Sequence, residues 1–454
     1  MITMKKLKLF QLAWPIFIET AMFMLLGFID VYILSNYDDL AASSVNTANQ
    51  TVSIVTIVFQ ILSTAGAVMI SQYLGAKKRR SASLVSVLLL TSQVFFGVII
   101  SAVFLLFNRP ILVLVGANGQ ILDYASRYLS IVGGTMMFQA LLNGCSVIIR
   151  NHGMTRMTMF VTAGMNVLNT GLDLLLVPSM GVEGAAIATC ISHVISSIIL
   201  VIILFTRIES PRAFRLLKPF PKSEFLSMLK IGIPSALETF LYNLSQLVIT
   251  SIVLYCLSEN ELITKTYVQI ITMFFYLFSM AIGQASQIMI GHLVGAKEYD
   301  QAYRQGLRSY RTALVITVIT CTIGILLRKP LLSIFTDNAE VLAIGSTILL
   351  MNAVLEFGRT TNIVIIACMR GAGDVYFPTV CAVLSNWIIS VAGSYLFAVV
   401  LDMGIYGLWI ALAADECVRG ILMIIRWKSG AWKNKRVVKD REEVQEIRDT
   451  AELS

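Results

Sequence analysis

The sequence predicts an all-α polytopic membrane protein: twelve transmembrane helices in two six-helix lobes related by a pseudo-twofold axis along the membrane normal. Three observations carry this. The 454-residue chain is 57% hydrophobic and only 14% charged, with a mean hydropathy of +0.78; soluble domains carry nearer a quarter charged residues. Apolar runs of about 20 residues, each long enough to cross about 30 Å of hydrocarbon as a helix, recur along its whole length. Finally, the second half repeats the first at a nearly constant offset.

The first span, near 9–35, follows the basic start "MITMKKLK". It is too long for a signal-peptide core, and no small-residue cleavage site follows, so it is expected to stay as helix 1. It ends at "SNYDDLA", a short loop. Span two (45–73) runs into "SQYLGAKKRRS". Span three (83–107) ends at "FNRP". Span four (122–149) ends at "RNHGMTRM", span five (157–177) at "VPSMGVEG", and span six (183–205) at the basic connector. The second half repeats the series at 227–256, 263–293, 309–327, 339–369, 376–400 and 405–426, its boundaries again set by turn signals.

Lys and Arg concentrate in alternate loops (75–81, 150–157, 206–222, 295–311 and 427–441), while the intervening loops hold few apart from "FNRP" and "LRKP". The positive-inside rule accounts for the net charge of +8 and pI near 9.1. It places both termini in the cytoplasm and removes the case for a nucleic-acid partner. Seven cysteines without a CxxC pair read as packing residues, with neither disulfide framework nor metal site.

The repeat aligns Pro15, Glu19 and Thr20 with Pro234, Glu238 and Thr239, 219 residues apart. "MISQYLGAK" (69–77) aligns with "MIGHLVGAK" (289–297), and "NRPILVLV" with "RKPLLSIF", both at 220. "MGVEGAAIAT" (180–189) aligns with "MGIYGLWIAL" (403–412) at 223. The expected organisation is an N-lobe over 1–205, a cytoplasmic connector over 206–226, a C-lobe over 227–427 and a solvated cytoplasmic tail over 428–454. Parallel six-helix repeats imply a central cleft and alternating access, which points to a transporter.

Ionisable residues within spans mark the candidate site, because a lipid-facing carboxylate costs several kcal/mol. Glu19 and Asp30 in span one are eleven residues apart, three turns plus about 20°, so they share a face at a separation of roughly 16 Å. In span five Asn166, Asn169 and Asp173 form one polar stripe. If these spans approach, Asp30, Asn169 and Asp173 offer oxygen ligands for Na⁺ or carboxylates that share a proton; alternatively, Asn166 and Asn169 merely join helices. Glu238, Tyr242 and Ser245 share a face of span seven, placing Glu238 at the cleft to meet a cation or exchange a proton. Glu19 either does the same or anchors the kink at Pro15. Glu356 and Arg359 in span ten either neutralise each other or serve the substrate. Asp415, Glu416 and Arg419 form a similar self-compensating cluster, and His193 reads as a packed residue.

"GFIDVYILS", "AASSVNTANQ", "SQYLGAK", "GHLVGAK", "NTGLDLLLVPSMGVEGAAIAT" and "CMRGAGD" together resemble the MATE family, the multidrug and toxic compound extrusion transporters, over roughly residues 8–428. The resemblance implies export of lipophilic organic cations in exchange for H⁺ or Na⁺, with Asp30, Asn169 and Asp173 as the N-lobe cation site. Glu238 matches the seventh-helix glutamate of the NorM-like rather than the DinF-like branch. Arg359 stands where NorM-like members place an acid, with Glu356 one turn earlier.

The resulting expectation is a monomeric antiporter of the plasma (inner) membrane, without a cofactor and without a metal other than Na⁺ at Asp30 and Asp173. The alternatives are a flippase for a lipid-linked precursor, whose anionic cargo calls for an Arg- and Lys-lined cavity, and an integral-membrane enzyme. The chain has no P-loop, H-E-x-x-H or G-x-S-x-G, and "YDD" is a short loop, which argues against an enzyme.

Overall fold

In the computed structural model, which describes residues 8–438, the described residues are almost wholly helical and contain no strand. The helices are α1 (Leu9–Tyr37), α2 (Asp39–Gly75), α3 (Arg79–Leu114), α4 (Gly119–Gly134), α5 (Met136–Asn151), α6 (Thr155–Met180), α7 (Val182–Arg207), α8 (Lys222–Cys256), α9 (Glu259–Gly295), α10 (Tyr299–Leu326), α11 (Arg328–Ser333), α12 (Ala339–Ala372), α13 (Tyr376–Ser385), α14 (Ala392–Tyr395) and α15 (Gly404–Ser429). Two π-helical stretches, Asn386–Val391 and Leu396–Val400, complete the span that α13 begins.

Ten of these spans are long and apolar enough to cross a membrane, and the α4–α5 pair makes an eleventh. The twelfth, α15, has the length but holds Asp415, Glu416 and Arg419 in mid-helix. Its charges pair with one another and with α12, as described below.

Several details depart from the expected spans. The fourth is broken by 51° at Thr135, where Gly133 lies so close to Phe104 that an added Cβ would meet its Cβ at 2.5 Å. The third continues through "FNRP" with a kink at Phe107, held by an ion pair between Arg109 and Asp123. Its repeat "LRKP" likewise breaks α10 from α11, with Arg328 Nε donating to Ser346 Oγ at 2.9 Å. Asp38 of "YDD" accepts from Leu40 N at 2.9 Å, an ordinary helix-start contact.

The described residues divide into two compact units, 8–70 with 79–236, and 71–78 with 237–438. The division falls within α8 rather than at the connector. Gly232 sits against the Ile61 backbone, where a Cβ would come within 2.1 Å of the carbonyl oxygen, and this ties the start of α8 to the first unit. The C-terminal turn of α2 belongs to the second unit for a matching reason. A Cβ on Gly75 would meet His292 O at 2.0 Å, and one on Gly295 would meet Gln72 O at 2.0 Å. These glycines are the repeated "LGAK" and "VGAK", and the following Lys77 and Lys297 both adopt positive φ, 58° and 62°.

In the first unit Leu34, Val45, Phe59, Phe104 and Leu129 form the core. In the second, α12 is the central helix, packed by α9, α10 and α15 over a core that includes Ile249, Ile271, Leu349 and Trp409.

The segment after α15 is not the solvated extension expected from residue 428. Trp432 is fully buried and stacks on Trp427 at 4.3 Å. Arg436 donates to Gly295 O at 3.1 Å, and Val437 N donates to Gln72 Oε1 at 2.8 Å. Two tryptophans bury enough apolar surface to dock an otherwise charged segment. The remainder of the expected tail, from 439, lies outside the described residues.

Candidate functional site

In the first unit α1 packs along α6, and α6 along α7. This brings Asp30 of α1 to Asn169 and Asp173 of α6. The Asp30 and Asp173 carboxyl groups meet at Asn169, which lies between them. In the amide orientation that satisfies its neighbours, Asn169 Nδ2 donates to Asp173 Oδ2 and to Asp30 Oδ1, both at 3.2 Å, while its oxygen accepts from Thr189 N at 3.2 Å. Asp173 is 2% exposed. Tyr128, buried on α4, lies near Asp30, Asp173 and Thr189. Asn166 is buried one turn away on the same face, and neither amide atom is hydrogen-bonded. Two carboxyl groups bridged by one amide nitrogen make a buried acidic pair suited to one proton or a small hard cation.

Glu19 lies elsewhere in this unit. Buried at 3% exposure, it pairs with Arg150 Nη2 at 3.4 Å and accepts from Thr158 at 3.1 Å and Thr162 at 3.4 Å. Its repeat Glu238 has the same kind of surroundings in the second unit, pairing with Arg370 Nη2 at 2.9 Å and accepting from Thr379 at 3.0 Å. Glu238, expected at the cleft to meet a cation or exchange a proton, thus has an arginine as its partner. The reason is the repeat itself, which brings Arg150 and Arg370, 220 residues apart, to the two glutamates.

The two charged clusters expected separately on spans ten and twelve form one network. Arg359 Nη1 pairs with Glu356 Oε1 at 2.6 Å, and Arg359 Nε lies 3.9 Å from Glu416 Oε1. Arg419 Nη2 pairs with Asp415 at 3.1 Å and Glu416 at 2.9 Å. Asn362 donates to Glu416 at 2.6 Å, Asn352 to Glu356 at 3.3 Å, and Ser385 to Asp415. Arg359 also stacks over Tyr276, 4.9 Å from the ring centroid. Tyr242, on the α8 face shared with Glu238, lies within electrostatic reach of Arg359, Glu416 and Arg419. With every group ionised, three carboxylates face two guanidiniums. Glu356, fully buried, keeps Oε2 without a hydrogen bond. His193 is half-buried on α7.

Sequence reasoning missed Arg150, Arg370, Thr158, Thr379, Tyr128 and Thr189. Only the arginines left a signal, as basic residues ending "VIIR" and "ACMR" at a common offset of 220. The threonines and Tyr128 are ordinary membrane-helix residues in sequence.

The MatE family profile matches residues 15–175 and 234–396, one match in each half. A Bacillus subtilis protein named "Uncharacterized transporter YisQ" is 37% identical over 95% of this chain and 96% of its own length. A Thermotoga maritima protein named "Probable multidrug resistance protein NorM" is 26% identical over 97% and 96%. Among solved structures, one described as MATE in the bent conformation superposes with a TM-score of 0.86 at 19% identity, covering 94% of this chain and 96% of that one. A Pyrococcus furiosus transporter of the MOP superfamily, described as having a binding pocket of reverse polarity, superposes at 0.85, with 19% identity and coverage of 93% and 94%.

Proposed function

The chain belongs to the MATE family of multidrug transporters, and from that premise we propose that it is a secondary antiporter exporting lipophilic organic cations in exchange for H⁺ or Na⁺. The observation that carries this reading is the hydrogen-bonded Asp30–Asn169–Asp173 cluster inside the first unit. Such a site can take one positive charge, which relieves the repulsion between two carboxylates that cannot both ionise comfortably side by side.

Binding the coupling ion there favours a conformation that releases the organic cation. The coupling needs only that the two cations prefer different states or compete for the same charge. Tyr242 and the Arg359 network are candidates for the substrate-facing part of the second unit. Glu19 and Glu238, each paired with an arginine, serve to hold helix ends together. The transporter works as a monomer in the plasma membrane with both termini in the cytoplasm, in keeping with the distribution of Lys and Arg. An anionic, lipid-linked cargo is less well served, because Arg359 and Arg419 are both engaged by carboxylates.

The test is ethidium efflux from cells carrying the wild type or Asp30→Asn. Wild-type efflux should collapse when the ion gradient is dissipated, and the variant, expressed at the same level, should show none. Efflux by Asp30→Asn at the wild-type rate refutes the assignment.

A further inference from the structure

The helix pair formed by α15 and the Tyr376–Val400 span has a feature that the proposed cycle does not use. The span packs chiefly on α15, and its buried face carries Asn386, Ser390 and Ser394, at 3%, 0% and 0% exposure. The hydroxyls of Ser390 and Ser394 and the amide oxygen of Asn386 have no hydrogen-bond partner. Several hydroxyls of other membrane helices reach the carbonyl four residues back, as Ser44 does to Leu40, Ser251 to Leu247 and Ser286 to Ile282, while Ser146 and Ser192 stand unpartnered singly. A sealed, unpartnered hydroxyl is unfavourable, and here two stand in one row with an unpartnered amide oxygen.

The row begins at a charge. Ser385, next to Asn386, donates to Asp415 of α15, and Asp415 is 2% exposed and paired with Arg419. From there Asn386, Ser390 and Ser394 climb toward the turn at 401–404, a rise of roughly 12 Å over eight residues at helical pitch. The repeat gives the row a meaning. Asn386 stands 220 residues after Asn166, and with one residue inserted beyond it, at an offset of 221, Ser390 and Ser394 align with Asn169 and Asp173. The offset then widens to 223 at Met180 and Met403, and the added residues fall where the two π-helical stretches lie. A π-turn is how a helix absorbs an inserted residue, and such turns occur often at functional sites. The row is thus the second unit's version of the stripe that builds the Asp30 cluster, with its carboxylate replaced by a serine.

We propose that Asn386, Ser390 and Ser394 line a narrow water-filled seam against α15, and that water in this seam links the turn at 401–404 to Asp415 and so gives the buried Asp415–Glu416–Arg419 network a route for protons. The seam takes water and single small cations. Its residues offer neutral donors and acceptors, which suit a chain of waters making two to four hydrogen bonds each. The use of the route rests on the antiport reading; the presence of water does not, and the experiment below reads water alone.

Single cysteines replace Ser390, Ser394, Ala398 and Ile388 in the full chain in detergent. Each variant is exposed to Ag⁺, and the thiols left unreacted are alkylated and located by peptide mass spectrometry. Ala398, 2% exposed within the apolar core, is the dry control, and Ile388, 65% exposed on the outer face, is the apolar-surface control. Ser390→Cys and Ser394→Cys should react at least tenfold faster than Ala398→Cys and Ile388→Cys. Reaction no faster than at the two controls overturns the proposal. Should the serine variants not fold, a structure of the unaltered chain at a resolution that shows waters decides. Water hydrogen-bonded to the Ser390 and Ser394 hydroxyls is expected, and direct apolar contact at both overturns the seam.

Discussion

Replacing Arg370 with alanine should destabilise the protein through Glu238, and the size of the effect follows from the surroundings of the pair. Removing one partner of a buried ion pair typically costs 3–5 kcal/mol, because the other charge is left without compensation. The Glu238 and Arg370 side chains are 14% and 24% exposed, so water partly screens the pair, and Thr379 still donates to the orphaned carboxylate. The loss is therefore set at about 2 kcal/mol, a factor of roughly 30 in the folding equilibrium. Glu238→Gln removes the charge that needs compensation, so adding it to Arg370→Ala should restore about half the loss. A denaturant titration in mild detergent, followed by tryptophan fluorescence on the four proteins of the cycle, measures this coupling. Additive effects of the two substitutions would refute the strut assignment, as would a folded Glu238→Gln protein unable to transport.

Other expectations follow from particular contacts. Gly75→Val places side-chain carbon where the His292 carbonyl oxygen already lies 2.0 Å from a Cβ, and should cost about 3 kcal/mol, read as a loss of monodisperse protein or a drop in melting temperature. Trp432→Ala removes the ring stacked on Trp427 and should cost about 3–5 kcal/mol, against no change if the segment were solvated. Glu209, beside Ser83 and Ser86 just beyond α7, has its carboxyl pushed above the usual range by burial. The folded state holds that proton more tightly than the unfolded chain, so its contribution is present at low pH and is lost as pH rises through the folded value. Glu209→Gln should accordingly raise the melting temperature near pH 7 and lose that advantage below pH 4.

Helix number, order and repeat were legible because each apolar run, turn signal and basic loop is a local feature. Asp30, Asn169 and Asp173 could be singled out because carboxylates and amides in lipid are rare, and their helical spacing already puts them on common faces. The partners of Glu19 and Glu238 were not legible in the same way. Arg150 and Arg370 sit at helix ends, where bases are expected on topological grounds, so nothing local marks them as neutralising partners. The joining of the Glu356–Arg359 pair to Asp415, Glu416 and Arg419 depends on how α12 packs on α15, which no single helix encodes. The break at Thr135 and the docked Trp432 are likewise tertiary. Gly133 reads as an ordinary membrane-helix glycine until Phe104 lies against it, and Trp432 stands in a charged stretch that reads as solvated. The π-helical turns did leave a trace, in the offset that grows from 220 to 223 between Asn386 and Met403.

The proposed cycle has the Asp30–Asp173 cluster exchange a coupling ion for an organic cation. It is tested most directly in proteoliposomes, where a pH gradient and a Na⁺ gradient are imposed separately and ethidium movement is followed for the wild type, Asp30→Asn and Asp173→Asn. Gradient-driven ethidium movement by the wild type is expected with at least one of the two ions, and movement by each variant no faster than in protein-free vesicles. Wild-type rates in both variants, or wild-type movement that ignores both gradients, would contradict it.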